Sequence, residues 1–331
     1  MAHEDVTDYL VVGAGLAGLA FAQDIAQTGA TVRLLDKGRG VGGRMATRRW
    51  AETRVDHGAQ YFTARGERLA SLTEQGLSEG WLRVWSDGFP LWKDDQITER
   101  EPTHPRYIAP SGMSEVAKRL AAGQEITTSA TVNKLQRTTE GGYRAECAEG
   151  QTFQGRRLIL TLPPVQMLAI ARDLLPVETV AGLEEVIYFP AWTLLLALEK
   201  DIEGAEWPAI EFEGHPVLGW VSRDHTKRAP GAPPVLIVHG SGEWSRAHLE
   251  DDPAAVREAL LEAVTGVLGP LSVKEAQTHR WRYARVEKPF NQSFFWHPES
   301  GIGGCGDWAG GAKVEGALTS GWELAAAVNS L

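Results

Sequence analysis

The sequence predicts an α/β (α+β) fold in which both chain ends build one domain and the middle of the chain supplies an inserted antiparallel sheet. Three observations lead there. An apolar run, a glycine turn and a helix-like stretch follow one another from Tyr9 to Gln27. The same order returns from Gly301 to Val328. Between them lie short apolar runs separated by Gly and Pro, the pattern of strands joined by turns.

Composition bounds the reading. The 331 residues suffice for roughly two domains. Hydrophobic residues make up 43% and charged residues 23%, so the chain is neither disordered nor collagen-like. Lys and Arg number 33 against 43 Asp and Glu, a net charge of −10, which argues against a nucleic-acid partner. Cys147 and Cys305 are too few for a disulfide framework or a cysteine zinc site, and they point to a reducing cytoplasm. The histidines show no ligand spacing such as HExxH, so no metal is expected. The acidic N-terminus lacks the basic region of a signal peptide, and no apolar run is long enough for a membrane span.

The first strand is Tyr9-Leu10-Val11-Val12. Gly13-Ala14-Gly15-Leu16-Ala17-Gly18 follows, then a helix to Gln27 and a second strand, Thr31 to Leu35, ending at Asp36. This is a Rossmann-type dinucleotide turn. Gly13 allows the tight turn, Gly15 lets the backbone approach a pyrophosphate, and Gly18 lets helix and strand pack closely. The helix N-terminus at Ala17 offers N–H groups and partial positive charge to phosphates. Asp36 is placed to accept hydrogen bonds from a ribose. The next loop carries Lys37, Gly38, Arg39, Gly40, Gly42, Gly43 and Arg44. Arg44 can reach a phosphate or the edge of a flavin. These glycine doublets resemble the FAD-binding members of the glutathione-reductase-like superfamily.

Gln124 to Glu149 reads as a β-meander or hairpin, with strands at Ile126–Thr128, Thr131–Leu135 and Tyr143–Cys147. Arg157 to Thr161 reads as a buried strand. Pro163-Pro164 ends it and is expected to send the chain out of the domain. Antiparallel strands are expected at Ala191–Glu199, Ala209–Phe212, Val217–Ser222 and Val235–His239. A helix follows at Asp252–Leu268, then a strand at His279–Arg285. At the C-terminus a glycine-rich strand ends at Asp307, and a helix runs from Val314 to Val328.

Longer motifs carry a specific resemblance. They are GGRM at 42–45, GAQYFTAR at 58–65, PSGMS at 110–114, TLPP at 161–164 and WVSRDHTK at 220–227. VHGSGEWS at 238–245, HRWRYAR at 279–285 and CGDW…KVEGA at 305–317 complete the set. On these residues the chain resembles the renalase family in its bacterial form, over most of its length. The resemblance implies a glutathione-reductase-like Rossmann domain that binds FAD noncovalently (residues 1–66, 114–162 and 286–331). It implies an inserted antiparallel-sheet substrate domain (67–113 and 163–285). It also implies an oxidase that converts 2- and/or 6-dihydro isomers of NAD(P)H to NAD(P)+ by hydride transfer to flavin N5. Dioxygen would reoxidise the flavin and leave as hydrogen peroxide. The implied partners are therefore a dihydronicotinamide dinucleotide and dioxygen. A flavin amine oxidase, which shares the fold, and a non-catalytic FAD-binding protein are the alternatives.

The resemblance also nominates residues. Gly13, Gly15, Ala17, Gly18, Asp36, Lys37, Gly43, Arg44, Gln60 and Tyr61 are expected at the cofactor. Val132 would meet the adenine through its backbone, Asp307 the ribityl chain and phosphates, and the helix N-terminus at Val314 the pyrimidine end of the ring. His239, Tyr61 and Trp281 are the expected catalytic residues. When the donor ring becomes aromatic on leaving, positioning supplies most of the rate. The site should then be a flat apolar slot, walled by candidates among Tyr61, Phe189, Trp192, Trp220, His239 and Trp281. Cys305 is expected to pack beneath the ring rather than tether it. Arg223, His225, Lys227 and Arg228 read as solvated surface charge, with a dinucleotide phosphate as the other reading.

Overall fold

The computed structural model describes residues 6–330, which fall into two compact units. Unit 1 holds residues 6–44, 116–187 and 286–330; unit 2 holds Met45–Glu115 and Tyr188–Arg285.

Unit 1 is built on an eight-stranded sheet. Its centre is Val6–Val12, whose Leu10, Val11 and Val12 are buried, as a strand covered on both faces requires. Val32–Leu35 and Thr152–Leu160 pair parallel to it on either side. Ile302–Cys305 extends the parallel set beyond Thr152–Leu160. The helices Leu16–Ala26 and Val314–Asn329 pack against each other at backbone range, because a Cβ on Gly321 would come within 2.3 Å of the Ala17 carbonyl oxygen. Both ends of the chain thus share one unit.

Three local expectations need correction. Glu125–Thr127 is no part of a hairpin; it forms the far edge of the sheet, parallel to Val32–Leu35. Only Val132–Arg137 and Tyr143–Cys147 make the hairpin. Pro163-Pro164 does not send the chain out of the unit. Pro164 opens the helix Pro164–Ala171, where its missing N–H costs nothing. The chain stays in unit 1 through Val177–Glu184, whose Gly182 and Thr179 lie against Phe290 and His297. At the other boundary, Met45 to Gly66 belong to unit 2 rather than to the N-terminal unit.

Unit 2 is built on a seven-stranded sheet ordered Val273–Lys288, Ile187–Leu198, Val235–Gly240, Leu218–Arg223, Ala209–Phe212, Leu91–Lys93 and Gln96–Thr98. The central pairs are antiparallel. One face is covered by the helix Pro253–Leu268. Its buried Val256, Leu260 and Val264 form one stripe and pack on Leu194, Leu196, Val221, Leu236 and Val238. Asp252 caps that helix by accepting from the Ala254 N–H at 2.8 Å, and Pro253 occupies its first turn. The opposite face carries Leu195, Val235 and Ile237 against Val55.

A bulge at Gly219 decides which side chains reach that second face. Leu218 pairs with Gly240 and Trp220 with His239, so one strand has an extra residue. Leu218 therefore joins the helix side with Val221, and Trp220 turns to the other side beside His239. Among the described residues no helix is long and apolar enough to cross a membrane.

Candidate active site

Unit 1 carries a built nucleotide cradle. Gly13 sits at φ +110° with Thr161 against it: the Thr161 hydroxyl lies 3.0 Å from the carbonyl oxygens of Val12 and Gly13. A Cβ on Gly13 would meet that hydroxyl at 2.3 Å, and one on Gly18 would meet the Gly13 carbonyl at 2.2 Å. Gly15 differs, since a Cβ there would enter open space. It precedes the helix Leu16–Ala26, which has no side-chain cap and no acid in its first turn. Its first N–H groups therefore face an anion-ready space. Asp36 braces the turn, accepting from the Ala14 and Gly38 N–H groups at 2.7 Å each and keeping further lone pairs on both oxygens. The Gly42 N–H donates to the Ala14 carbonyl at 2.8 Å and ties the second glycine loop to the first. Gly43, at φ +53°, comes close to Gly15.

Arg44 and Asp307 meet in a bidentate pair, both contacts at 2.6 Å, with the Asp307 side chain only 9% exposed. Asp307 opens a short helical turn, and Val314 begins the last helix behind Lys313, which gives it no side-chain cap. Val132 lies at a bulge of the hairpin, opposite Cys147. Lys37 is at the periphery, 3.3 Å from the Gln166 side-chain oxygen. Cys305 is fully buried, and burial pushes its thiol far above the ordinary range, so it offers no thiolate for a covalent tether.

Gln60 and Tyr61 belong to unit 2, as do His239 and Trp281. Beneath Gln60 lies a buried ionic cluster, not the solvated charge that the sequence alone suggests. Lys227 is fully buried and holds Asp224 at 2.9 Å, Asp56 at 3.4 Å and the Gln60 side-chain oxygen at 2.9 Å. Arg228 bridges the same carboxylates at 2.7 and 2.9 Å. Burial alone would raise the Asp56 carboxyl; the charges of Lys227 and Arg228 outweigh it and hold the group below its ordinary range. Ser222 donates to Gln60, whose amide N–H groups donate to the Asp56 and Gly58 carbonyls. The Gln60 amide is thus fixed in one orientation. Arg223 and His225 are also committed, to Asp201. These basic residues are neither surface charge nor free for a phosphate. The i, i+3 and i, i+4 spacing of Asp224 with Lys227 and Arg228 was the available signal.

The expected catalytic residues converge on the face opened by the Gly219 bulge. Thr193, His239 and Trp220 form one row across three adjacent strands. The Thr193 hydroxyl lies 3.0 Å from His239 Nδ1 and 3.4 Å from the His57 carbonyl. Trp281 donates its indole N–H to that carbonyl at 2.9 Å and stacks on the His57 ring. Tyr61 lies 5.7 Å from Trp220 and 5.3 Å from Phe89, with Trp85 closing the group. Burial, aided by Lys227, lowers His239 to about 4, so it is neutral near pH 7. Burial, with Arg48 and His279 nearby, lowers His57 to about 3. Sequence reasoning missed His57, Trp85, Phe89 and Thr193. Two expected wall residues are otherwise engaged: Trp192 is in the core under the helix and donates to the His248 carbonyl, and Phe189 has the Arg246 and Arg285 guanidinium groups 4.3 and 5.3 Å from its ring centre.

Residues 11–75 match the model of an NAD(P)-binding Rossmann-like domain, and residues 75–329 match that of the flavin containing amine oxidoreductases. The chain belongs to the flavin-containing amine oxidoreductase family. Solved structures of similar fold include a provisionally named protoporphyrinogen oxidase from Exiguobacterium sp. 255-15, with TM-score 0.77 and 13% identity over 99% of this chain and 100% of the other. Cyclohexylamine oxidase from Brevibacterium oxydans IH-35A gives 0.75 and 14% over 98% and 99%. Putrescine oxidase gives 0.74 and 15% over 99% and 100%. As a flavin-containing amine oxidoreductase this protein is an FAD-dependent oxidoreductase. Unit 1 fits that cofactor: the open space at Gly15 and the uncapped helix suit a pyrophosphate, and the remaining Asp36 lone pairs suit a ribose. Among the described residues no group of His, Cys, Asp and Glu could hold a metal ion.

Proposed function

We propose that this protein oxidises dihydronicotinamide dinucleotides, converting the 2- and/or 6-dihydro isomers of NAD(P)H to NAD(P)+. In this reading unit 1 holds FAD through Gly13, Gly15, Ala17, Gly18, Asp36, Lys37, Gly43, Arg44, Val132, Asp307 and Val314. Unit 2, which carries Gln60 and Tyr61, is the substrate domain. FAD, when bound, would supply the hydride acceptor and return the electron pair to dioxygen, which with the transferred hydrogen and one proton from solvent would leave as hydrogen peroxide. The donor needs no base, because losing the hydride makes its ring aromatic. The protein's task is then to hold a planar ring and exclude water.

One observation carries this reading over amine oxidation. The aromatic group already holds a cation of the chain itself: the Arg106 guanidinium lies 5.6 Å from the Tyr61 ring centre and 5.7 Å from that of Phe89. Arg106 donates to the His104 carbonyl and the Thr103 hydroxyl, both neutral, so its charge is not cancelled there. Glu211, which also acts on Tyr61, is itself paired with Arg100 at 2.9 Å. An ammonium ion brought to these rings meets a like charge, whereas a dinucleotide carrying phosphates meets an opposite one. The family name and the cyclohexylamine and putrescine oxidase neighbours favour the amine reading.

Anaerobic rapid mixing separates the two. The expected result is fast flavin bleaching by 2- or 6-dihydro-NAD(P), and slow bleaching by the ordinary 4-dihydro form and by primary amines. Bleaching by an amine at catalytic rates, with inert dihydro isomers, gives the site to amines. Equal or faster reaction of the 4-dihydro form makes the protein a plain NAD(P)H oxidase.

A further inference from the structure

Two buried polar atoms on the sheet face of unit 2 have no partner among the described residues: the Trp220 indole N–H and His239 Nε2. Buried polar atoms in folded proteins are nearly always satisfied, so each orphan calls for a partner, a water or a ligand group. These two are neighbours. Trp220 and His239 are direct antiparallel partners, which places their side chains side by side on one face, with Cβ atoms about 4.5–5.5 Å apart. The Gly219 bulge exists at the point that brings Trp220 to that face.

The chemistry of the pair is complementary. An indole N–H can only donate. A neutral imidazole has one donor and one acceptor nitrogen. His239 Nδ1 is engaged with the Thr193 hydroxyl, which also faces the His57 carbonyl. When Nδ1–H donates to Thr193 and Thr193 donates to His57, every atom of that chain is satisfied and Nε2 is left as an acceptor. The charge of Lys227 helps to keep this ring neutral.

We propose that Trp220 and His239 form a two-point clamp for a primary carboxamide on a planar ring: the indole N–H donates to the amide oxygen, and Nε2 accepts from the amide N–H. This rests on the dinucleotide reading and names the part of that substrate which unit 2 recognises. Tyr61, 5.7 Å from Trp220, supplies an apolar face for the ring.

The test uses the FAD-loaded protein and dihydro dinucleotides bearing 3-carboxamide or 3-acetyl groups. The acetyl group keeps the oxygen and lacks the N–H. Wild type is expected to bind the carboxamide about tenfold more tightly. His239→Phe should bind the two alike. Trp220→Phe should weaken both by about tenfold and keep the preference. FAD content and melting temperature report whether each variant folds. A preference that survives in His239→Phe, or affinities unmoved in Trp220→Phe, overturns the clamp. So does a wild type that binds the acetyl form as tightly. If wild type turns over no dihydro isomer, the function reading fails by itself. The clamp is then judged by calorimetric binding of nicotinamide against 3-acetylpyridine, with the same pattern expected.

Discussion

Arg44 and Asp307, separated by 263 positions, close a bidentate pair at 2.6 Å beside the two glycine turns of unit 1. The first residue ends the N-terminal glycine loop and the second opens the C-terminal turn, so the pair joins both ends of the proposed FAD cradle. Arg44→Met should raise the FAD dissociation constant by about tenfold or more, because the fork geometry is lost together with the charge. Arg44→Lys should recover only part, since an ammonium cannot fork. Fluorescence titration of the apoprotein with FAD reads this directly. An unchanged affinity in Arg44→Met would remove the pair from the cofactor site.

The three glycines of the first turn should respond differently to alanine. Gly13→Ala forces a Cβ into φ +110° and against Thr161, and Gly18→Ala drives one into the Gly13 carbonyl. Each should cost more than about 2 kcal/mol in urea unfolding. Gly15→Ala meets nothing, so the apoprotein should lose less than about 1 kcal/mol. That methyl group nevertheless fills the space in front of the helix N-terminus, and FAD affinity should fall by about tenfold. If Gly15→Ala binds FAD normally, the pyrophosphate lies elsewhere.

Those positions also mark what was legible in the chain. The turn from Gly13 to Asp36 could be read because all of its parts are sequence neighbours with fixed spacing. The strand expected at Ile126–Thr128 is present at Glu125–Thr127, but its expected hairpin pairing is not, because a parallel edge strand is defined by its partner, Val32–Leu35, and short strands carry no mark of orientation. Pro164 opens a helix, yet in sequence a proline at a helix start and a proline at an exit look alike. Lys227 reads as surface charge in the sequence because its burial depends on Asp56, 171 positions away. The meeting of Trp220 with His239 depends on a one-residue bulge, which composition does not announce.

Lys227 is the cation whose loss the fold should tolerate least. Lys227→Met leaves Asp56 and Asp224 buried with Arg228 alone. Removing one member of a buried ion network typically costs about 3–5 kcal/mol. Asp56, which loses the charge that does most to hold its carboxyl low, should then take up a proton more readily than in the parent. The deficit in urea-unfolding free energy should therefore be larger at pH 8 than at pH 5. A deficit that does not change with pH would mean the carboxylates are not electrostatically stressed by the loss.

Acid should destabilise the protein through its buried histidines before Asp56 is protonated. His57 and His239 are held at about 3 and about 4 in the fold, against 6.5 for the free side chain. A histidine with a lowered native value is protonated first in the unfolded chain. Between its native value and 6.5 the unfolded state binds more protons, so stability rises with pH across that window. Their contribution is complete above 6.5 and is lost as pH falls toward 4 and then 3. Asp56 adds to the loss only below 3.8, since its native value is lowered from there. Urea unfolding at a series of pH values should thus give a slope between pH 4 and 6.5 and a plateau above it. His57→Asn and His239→Asn should each flatten the slope, whatever they do to stability at pH 8. The same depressed value predicts that kcat/KM shows no inflection from His239 near neutrality. A wild-type slope that persists unaltered in both variants would place the acid-sensitive groups outside this row.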